Sequence, residues 1–520
     1  MKLKLLTLAA AIALAISPAA GAVMTDGGRV QGVRDGEITV YKAIPYAAPP
    51  VGALRWKPPQ PALPWSGTRK ADAFAPACMQ SGVSMPGETP PRTSEDCLYL
   101  NIWTPAHGAH AHLPIIVWIH GGGFTNGFAG MPLYWGDRLA RKGVIVVTFG
   151  YRLGALGFLA LPALTAESPA HSSGNYGLQD QIAALRWVQK NISAFGGDPS
   201  RVTIAGQSAG GDCVSILMAS PAARGLFARV IGESGGLFEP TNLATDYLLP
   251  QAEAEGQKYA ATLGTTDLAQ LRALPASDFV KPGANRVAHP VLEPIVMPRS
   301  PYEVFARGEQ NDVPILVGSN EEEARSLVTD LAGVTAANFN DGIAKAWGAL
   351  PPQLLAAYPH ATDAEAKQAR LDFERDLRFG WDMWAWARLE AMKGKNSVHY
   401  YRFTHRPPFP ADSVYANWGA SHFAELWYVF DHLDQEPWHW TDADRQLADT
   451  ISSYWVNFAR SGDPNAPGLP SWPAFTATLP QTLLLDEPIT ISNDVPDLKT
   501  LTVFDAVYTG ARGAPFGETR

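Results

Sequence analysis

Residues 204–211 read Ile204-Ala205-Gly206-Gln207-Ser208-Ala209-Gly210-Gly211, setting a β-type run directly against a helix start with one serine at the junction. Arg201 to Ile204 has the character of a short buried strand, and Cys213-Val214-Ser215-Ile216-Leu217-Met218 reads as helix up to the stop at Ser220-Pro221. A turn this tight has no space for a Cβ two residues either side of the serine, so Gly206 and Gly210 let strand and helix approach closely. The pattern predicts a nucleophile elbow. Ser208 is pushed out of the sheet edge, and the helix N-terminus aims unpaired N–H groups, that of Ala209 among them, at negative charge developing beside it.

G-x-S-x-G also occurs in many ordinary turns, so its meaning depends on partners elsewhere in the chain. A serine that transfers an acyl group needs oxyanion donors, a histidine base and an acid to orient that base. Upstream, Pro114-Ile115-Ile116-Val117-Trp118-Ile119 is a continuous apolar run typical of a strand covered on both faces, and His120-Gly121-Gly122-Gly123-Phe124 follows at once. Three successive glycines allow the backbone to turn the N–H groups of Gly122 and Gly123 toward one point, which side chains would obstruct.

With these segments in place the chain resembles the type-B carboxylesterase and cholinesterase family of α/β hydrolases. The likeness runs through Ile44-Pro45-Tyr46-Ala47, Pro49-Pro50-Val51-Gly52, Leu54-Arg55-Trp56 and Ser94-Glu95-Asp96-Cys97-Leu98-Tyr99-Leu100-Asn101-Ile102-Trp103. It continues through Gly174-Asn175-Tyr176-Gly177-Leu178-Gln179-Asp180-Gln181 and Phe195-Gly196-Gly197-Asp198-Pro199 to the elbow itself. The resemblance implies the α/β-hydrolase fold: a large, mostly parallel mixed sheet flanked by helices, with helical insertions over the active site.

The family's acid follows a strand in a pattern like G-x-N-x-D-E-G. Here Pro314-Ile315-Leu316-Val317 leads into Gly318-Ser319-Asn320-Glu321-Glu322-Glu323-Ala324, and register selects Glu323. Glu321 and Glu322 are read as a solvated acidic loop, since carboxylates are seldom buried without a partner. The family's histidine precedes an aromatic-rich helix, which Gly419-Ala420-Ser421-His422-Phe423-Ala424-Glu425-Leu426-Trp427-Tyr428-Val429-Phe430 matches, so His422 is the expected base. Two departures stand out: Gln207 replaces the family's glutamate before the serine, and Gly150 its asparagine before Tyr151-Arg152. Neither is expected to touch the chemistry directly, but both are expected to alter supporting hydrogen bonds and so to bear on rate and specificity more than on reaction type.

The implied reaction is attack of Ser208 on an ester carbonyl, with His422 taking the proton, Glu323 holding the imidazole, and Gly122, Gly123 and Ala209 forming the oxyanion hole. It calls for no metal and no cofactor. Because an imidazole base works in its neutral form, activity is expected to fall on the acid side of neutrality. The resemblance also implies a disulfide between Cys78 and Cys97, leaving Cys213 as a buried small hydrophobe. Ser234, in Val230-Ile231-Gly232-Glu233-Ser234-Gly235, matches a family serine that supports the histidine.

Substrate choice is expected to follow the loops. Cholinesterases carry a cation-binding tryptophan between these two cysteines, whereas this loop has no aromatic residue, which argues against choline esters. Its polar, Pro-rich run from Gln80 to Pro91 also differs from the amphipathic lid of related lipases and predicts an esterase without interfacial activation. Phe124 and Trp418 are candidate pocket walls, while Trp381, Trp384 and Trp386 are expected to pack in the core. The segments near 238–285 and 325–395 read as helical insertions roofing the site. Three functions follow: hydrolysis of small or aryl carboxylic esters first; then amides, carbamates or a specialised ester such as a mycotoxin or polyester fragment. The third is a non-catalytic adhesion protein of the same fold, against which Ser208, Glu323 and His422 all speak.

At the N-terminus, Lys2 and Lys4 precede an apolar run from Leu5 to Ile16, and Ala20 and Ala22 supply an A-x-A signal. This predicts a secretory leader over residues 1–22 and a single catalytic domain over 23–520, exported to the periplasm or medium. The run is shorter than the ~18 residues of a membrane-spanning helix, so no stable membrane association is expected. The formal net charge is −9, and removal of Lys2 and Lys4 makes it two units more negative, which argues against nucleic acid or anionic membrane as partner. A small-molecule ester is the expected partner.

Overall fold

The apolar runs of the sequence become neighbouring strands of one sheet in a computed structural model that describes residues 19–83, 85, 91–281, 284–348 and 350–519. In chain order the strands are β1 (Ala19–Met24), β2 (Arg29–Asp35), β3 (Ile38–Pro45), β4 (Thr68–Lys70), β5 (Ala77–Cys78), β6 (Thr93–Ser94), β7 (Tyr99–Thr104) and β8 (Leu113–Ile119). They continue with β9 (Ile145–Phe149), β10 (Gly197–Gln207), β11 (Arg229–Glu233), β12 (Ile315–Asn320), β13 (Val398–Phe403), β14 (Thr482–Leu485) and β15 (Thr490–Ser492). Among the described residues β5 and β6 form a separate pair, and the main 13-stranded sheet has the order β1-β2-β3-β7-β9-β8-β10-β11-β12-β13-β14-β15, with β4 beside β2.

From β9 to β14 the strands are parallel, as near-continuous apolar runs require, because helices cover both faces. Side chains alternate cleanly. Ile115, Val117, Ile204, Val230 and Val317 enter the core on one face, and Ile116, Trp118, Ala205, Ile231 and Leu316 the core on the other. Each such Val, Ile or Leu side chain stabilises the fold by about 1.5–3 kcal/mol through burial. Helices Tyr176–Asn191, which turns Leu178, Ile182, Leu185 and Val188 into the core, and Asp442–Ser461 lie on opposite sides. The second starts at a Thr441–Asp444 capping box and ends where Gly462 takes φ 84°.

The chain order places β8 and β11 either side of β10, so their carboxyl ends open into one crevice, where ligands of open α/β sheets bind. β10 is longer than the predicted Arg201–Ile204, because a register shift lets Gly197 pair with Leu113 before the regular ladder begins at Val202. The two predicted insertions are helical and lie over these strand ends. Of the expected leader, residues 1–18 fall outside the described residues, and β1 runs across the expected cleavage point. Among the described residues no helix is long and apolar enough to cross a membrane.

Candidate active site

Ser208 sits between β10 and the helix Ala209–Ala219 with φ 59° and ψ −132°, a conformation that a non-glycine residue holds only when its surroundings enforce it. The enforcement is visible. Ser208 N–H donates to Glu233 O at 2.9 Å, and Ser208 O accepts from Asp212 N–H at 3.0 Å. A Cβ on Gly206 would lie 2.5 Å from Gly210 O, and one on Gly210 2.1 Å from Ile119 O. The glycines thus let the elbow helix rest on the ends of both β10 and β8.

The loop after β8 approaches the serine from the other side. A Cβ on Gly121 would stand 2.9 Å from Ser208 Cβ, and Gly122 and Gly123 take φ of 108° and 59°. The turn is fastened by Thr125 and Asn126 N–H donating to Gly122 O at 3.1 and 2.9 Å. Tyr151 donates to His120 O at 2.8 Å and stacks on the His120 ring, whose burial depresses its pKa to about 4. His120 is therefore a neutral strut. The N–H groups of Gly122 and Gly123 have no acceptor among the described residues, and Ala209, first in its helix, has no intrahelical acceptor for its own.

Glu323 opens a 3-10 turn immediately after β12 and is fully buried. One oxygen accepts the Asn320 N–H at 2.7 Å, and the other stands 2.6 Å from His422 Nδ1. Of its neighbours, Glu321 is exposed as expected, but Glu322 is not a solvated loop residue. It accepts from Arg325 Nε at 2.7 Å, Arg406 Nη2 at 3.0 Å and Ala420 N–H at 3.0 Å, tying the turn to the His422 loop. The helix after His422 is a single turn, Leu426–Val429.

Ser208, Ala209, Gly122, Gly123 and His422 line one cavity of about 650 Å³. Among the described residues no hydrogen bond joins Ser208 Oγ to His422; bonds of this kind often tighten only in the substrate complex. Instead Gln207 Nε2 stands 3.4 and 3.3 Å from the two ring nitrogens of His422, so this departure from the family reaches the hydrogen bonding around the imidazole. No hydrogen bond joins Ser234 to the ring among the described residues. The Ser234 N–H is held by Gly318 O at 2.8 Å, and its buried Oγ has no partner among the described residues.

Both proposed pocket aromatics lie elsewhere. Phe124 has φ 59°, which turns its side chain into the core against Phe158 at 5.2 Å. Trp418 joins Tyr415 and Phe409 in a cluster beside the site rather than its lining. The aromatic that does meet the histidine is Phe379, stacked on His422 at 4.5 Å and 14°. It belongs to a π-helical turn, Asp376–Gly380, whose inserted residue re-aims the side chain. Phe423 flanks the imidazole at 4.3 Å. Trp381 and Trp386 are core residues, as expected, and Trp384 is buried with them. Both insertions reach the cavity, through Leu243 and Tyr247 in one and Leu354 and Leu377 in the other. Cys78 and Cys97 form a disulfide, and Cys213 is buried with its Sγ 3.0 Å from Gln181 Nε2.

The profile of the carboxylesterase family matches residues 19–500. A fumonisin B1 esterase from Sphingopyxis macrogoltabida is 38% identical over 471 residues, 87% of this chain and 84% of the relative. A para-nitrobenzyl esterase from Bacillus subtilis is 36% identical over 504 residues, covering 93% and 98% of the two chains. Among solved structures, a PNB esterase superposes with TM-score 0.80 at 34% identity, over 93% of this chain and 99% of its own.

Proposed function

We propose, for a chain that belongs to the carboxylesterase family and is a carboxylic ester hydrolase of the serine type, that catalysis runs through Ser208, His422 and Glu323 on small or aryl esters. The observation that carries this assignment is the buried 2.6 Å contact between Glu323 and His422 Nδ1, facing the same cavity as Ser208. Donation from Nδ1 to Glu323 leaves His422 Nε2 as the acceptor for the serine proton. Ser208 Oγ then bonds to the ester carbon, and the oxyanion is met by the free N–H groups of Gly122, Gly123 and Ala209. His422 returns the proton to the leaving alcohol. Water, deprotonated by the same nitrogen, attacks the acyl-enzyme and releases the acid.

A panel of p-nitrophenyl esters of rising acyl length beside matched anilides tests the reading, with Ser208→Ala as control. Turnover of esters alone, lost in Ser208→Ala, is expected. Activity surviving in Ser208→Ala, or equal turnover of anilides, refutes it. The 38% identity to a fumonisin B1 esterase supports a narrower second reading, a specialised ester of the mycotoxin kind, for which fumonisin B1 belongs in the panel. Dissolved short esters are expected to outpace emulsified long-chain triglycerides. We also propose that the chain is exported and cleaved after Ala22, leaving a single catalytic unit; an N-terminal sequence of the exported protein beginning elsewhere would exclude this.

A further inference from the structure

The catalytic cavity is not evenly lined. Three carboxyl side chains from separate elements converge on one of its walls: Asp212 on the elbow helix, Glu239 on the stretch after β11, and Asp382 on the helix Trp381–Lys393. Asp212 lies four residues beyond Ser208, about 6 Å further along the helix axis. Asp382 is 5% exposed; its Oδ1 accepts the Phe238 N–H at 3.0 Å, and no hydrogen bond reaches its other oxygen among the described residues. Glu239 Oε2 is buried and has no hydrogen-bond partner among the described residues either.

None of the three carboxyls forms an ion pair among the described residues. The nearby Arg512 is directed elsewhere, donating from Nη2 to Phe238 O at 2.7 Å with its guanidinium 3.4 Å over the Tyr302 ring. Arg378, which also lines the cavity, is paired with Glu374 at 2.7 Å. The remaining groups beside the acids are Asp246, His289 and the rings of Tyr247 and Tyr508, and aromatic faces attract cations. Burial holds the Asp212, Glu239 and Asp382 carboxyls above their usual range and Glu239 adds repulsion to the other two, while the charge of Arg512 offsets this in part at Glu239 and Asp382.

We propose that this wall selects esters carrying a cationic nitrogen several bonds from the scissile carbonyl, with Asp382, Glu239 and Asp212 supplying the counter-charge and Tyr247 and Tyr508 the flanking rings. The inference rests on the assignment of Ser208 as nucleophile. It differs from choline-ester recognition, because the cation would be held beyond the elbow helix and not in the loop between the cysteines.

The test uses three p-nitrophenyl esters of matched chain length: 6-(trimethylammonio)hexanoate, its neutral isostere 7,7-dimethyloctanoate, and the anionic pimelate monoester. The expected order of kcat/KM is cation, neutral, anion, with the cation favoured over the neutral isostere by about tenfold or more. Asp382→Asn, which keeps the acceptor for Phe238 N–H, and Glu239→Gln should each draw that ratio toward one. A wild-type ratio of one or below overturns the proposal even if neither variant folds. So does a preference that survives both substitutions. Hydrolysis of none of the three, or equal rates in Ser208→Ala, would instead bring down the nucleophile assignment and this inference with it.

Discussion

Replacing Glu323 by Gln separates the orienting acid from the two glutamates beside it. In the structure one Glu323 oxygen is committed to the Asn320 N–H and the other to His422 Nδ1, both groups being buried. A glutamine that keeps its oxygen on Asn320 must turn its NH2 toward Nδ1. The imidazole then carries its proton on Nε2 and has no lone pair for the serine. The imidazolium formed during attack also loses a carboxylate whose charge centre lies about 4 Å away, an attraction of about 4 kcal/mol at an effective dielectric of about 20. That attraction alone corresponds to roughly 10³-fold in rate, and the wrong tautomer carries the expected loss in kcat toward 10⁴-fold. Glu322→Gln keeps the bond from Ala420 N–H and gives up pairs with Arg325 and with Arg406, which is 65% exposed, so kcat should change by less than about threefold. The assay is hydrolysis of p-nitrophenyl butyrate, with circular dichroism and thermal melting to establish that both variants are folded. A folded Glu323→Gln enzyme retaining more than about a tenth of wild-type kcat would refute the reasoning, as would a Glu322→Gln enzyme equally impaired.

Phe379→Ala removes the ring stacked on His422 and should lower kcat by about 10- to 100-fold with a smaller change in KM; a kcat within about twofold of wild type would show that the ring does not position the base. Trp418→Ala should cost about 3 kcal/mol of stability, read by urea denaturation, while kcat/KM stays within about twofold; a large activity loss in a stable variant would return Trp418 to the pocket. Burial pushes the Glu233 carboxyl up to about 8, so the folded protein keeps a proton that the unfolded chain, with a glutamate pKa near 4.3, has released. The stability this contributes is complete below about pH 4.3 and drains away as pH rises toward 8, by up to about 1.4 kcal/mol per unit. Glu233→Gln, which still offers Trp455 Nε1 an acceptor, should flatten that slope in unfolding titrations at pH 6 and 8, and an unchanged slope would refute the assignment.

The elements that the sequence exposes most clearly are those where the backbone itself is constrained. Gly206, Gly210 and the run Gly121–Gly123 are legible because no other residue fits within 3 Å of the opposing main chain, or turns the chain so sharply. The buried strands are legible because helices on both faces demand unbroken apolar runs. Glu323 emerges only through register against a family pattern, and the structure adds the reason: it alone of the three glutamates turns inward, while Glu322 is drawn aside by two arginines. What local pattern does not carry is the direction of side chains set by unusual backbone. Phe124 leaves the cavity because its φ is positive, and Phe379 enters it because a π turn adds a residue to its helix, an insertion with no spacing signature. The contact of Gln207 with the imidazole and the meeting of Asp212, Glu239 and Asp382 depend on segments that are close only after folding.

The groups assigned to bond making hang from the carboxyl ends of neighbouring sheet strands, and the elbow helix is wedged so tightly onto Ile119 that nucleophile and oxyanion loop pack as one body. Most other walls of the cavity come from two long excursions that touch this body through side chains. Reactivity and discrimination are thus housed in separable parts of the polypeptide. Transplanting residues 238–285 and 325–395 between relatives, with Phe379 kept against the base, is accordingly the economical way to redirect what such a catalyst accepts while leaving intact how it cuts.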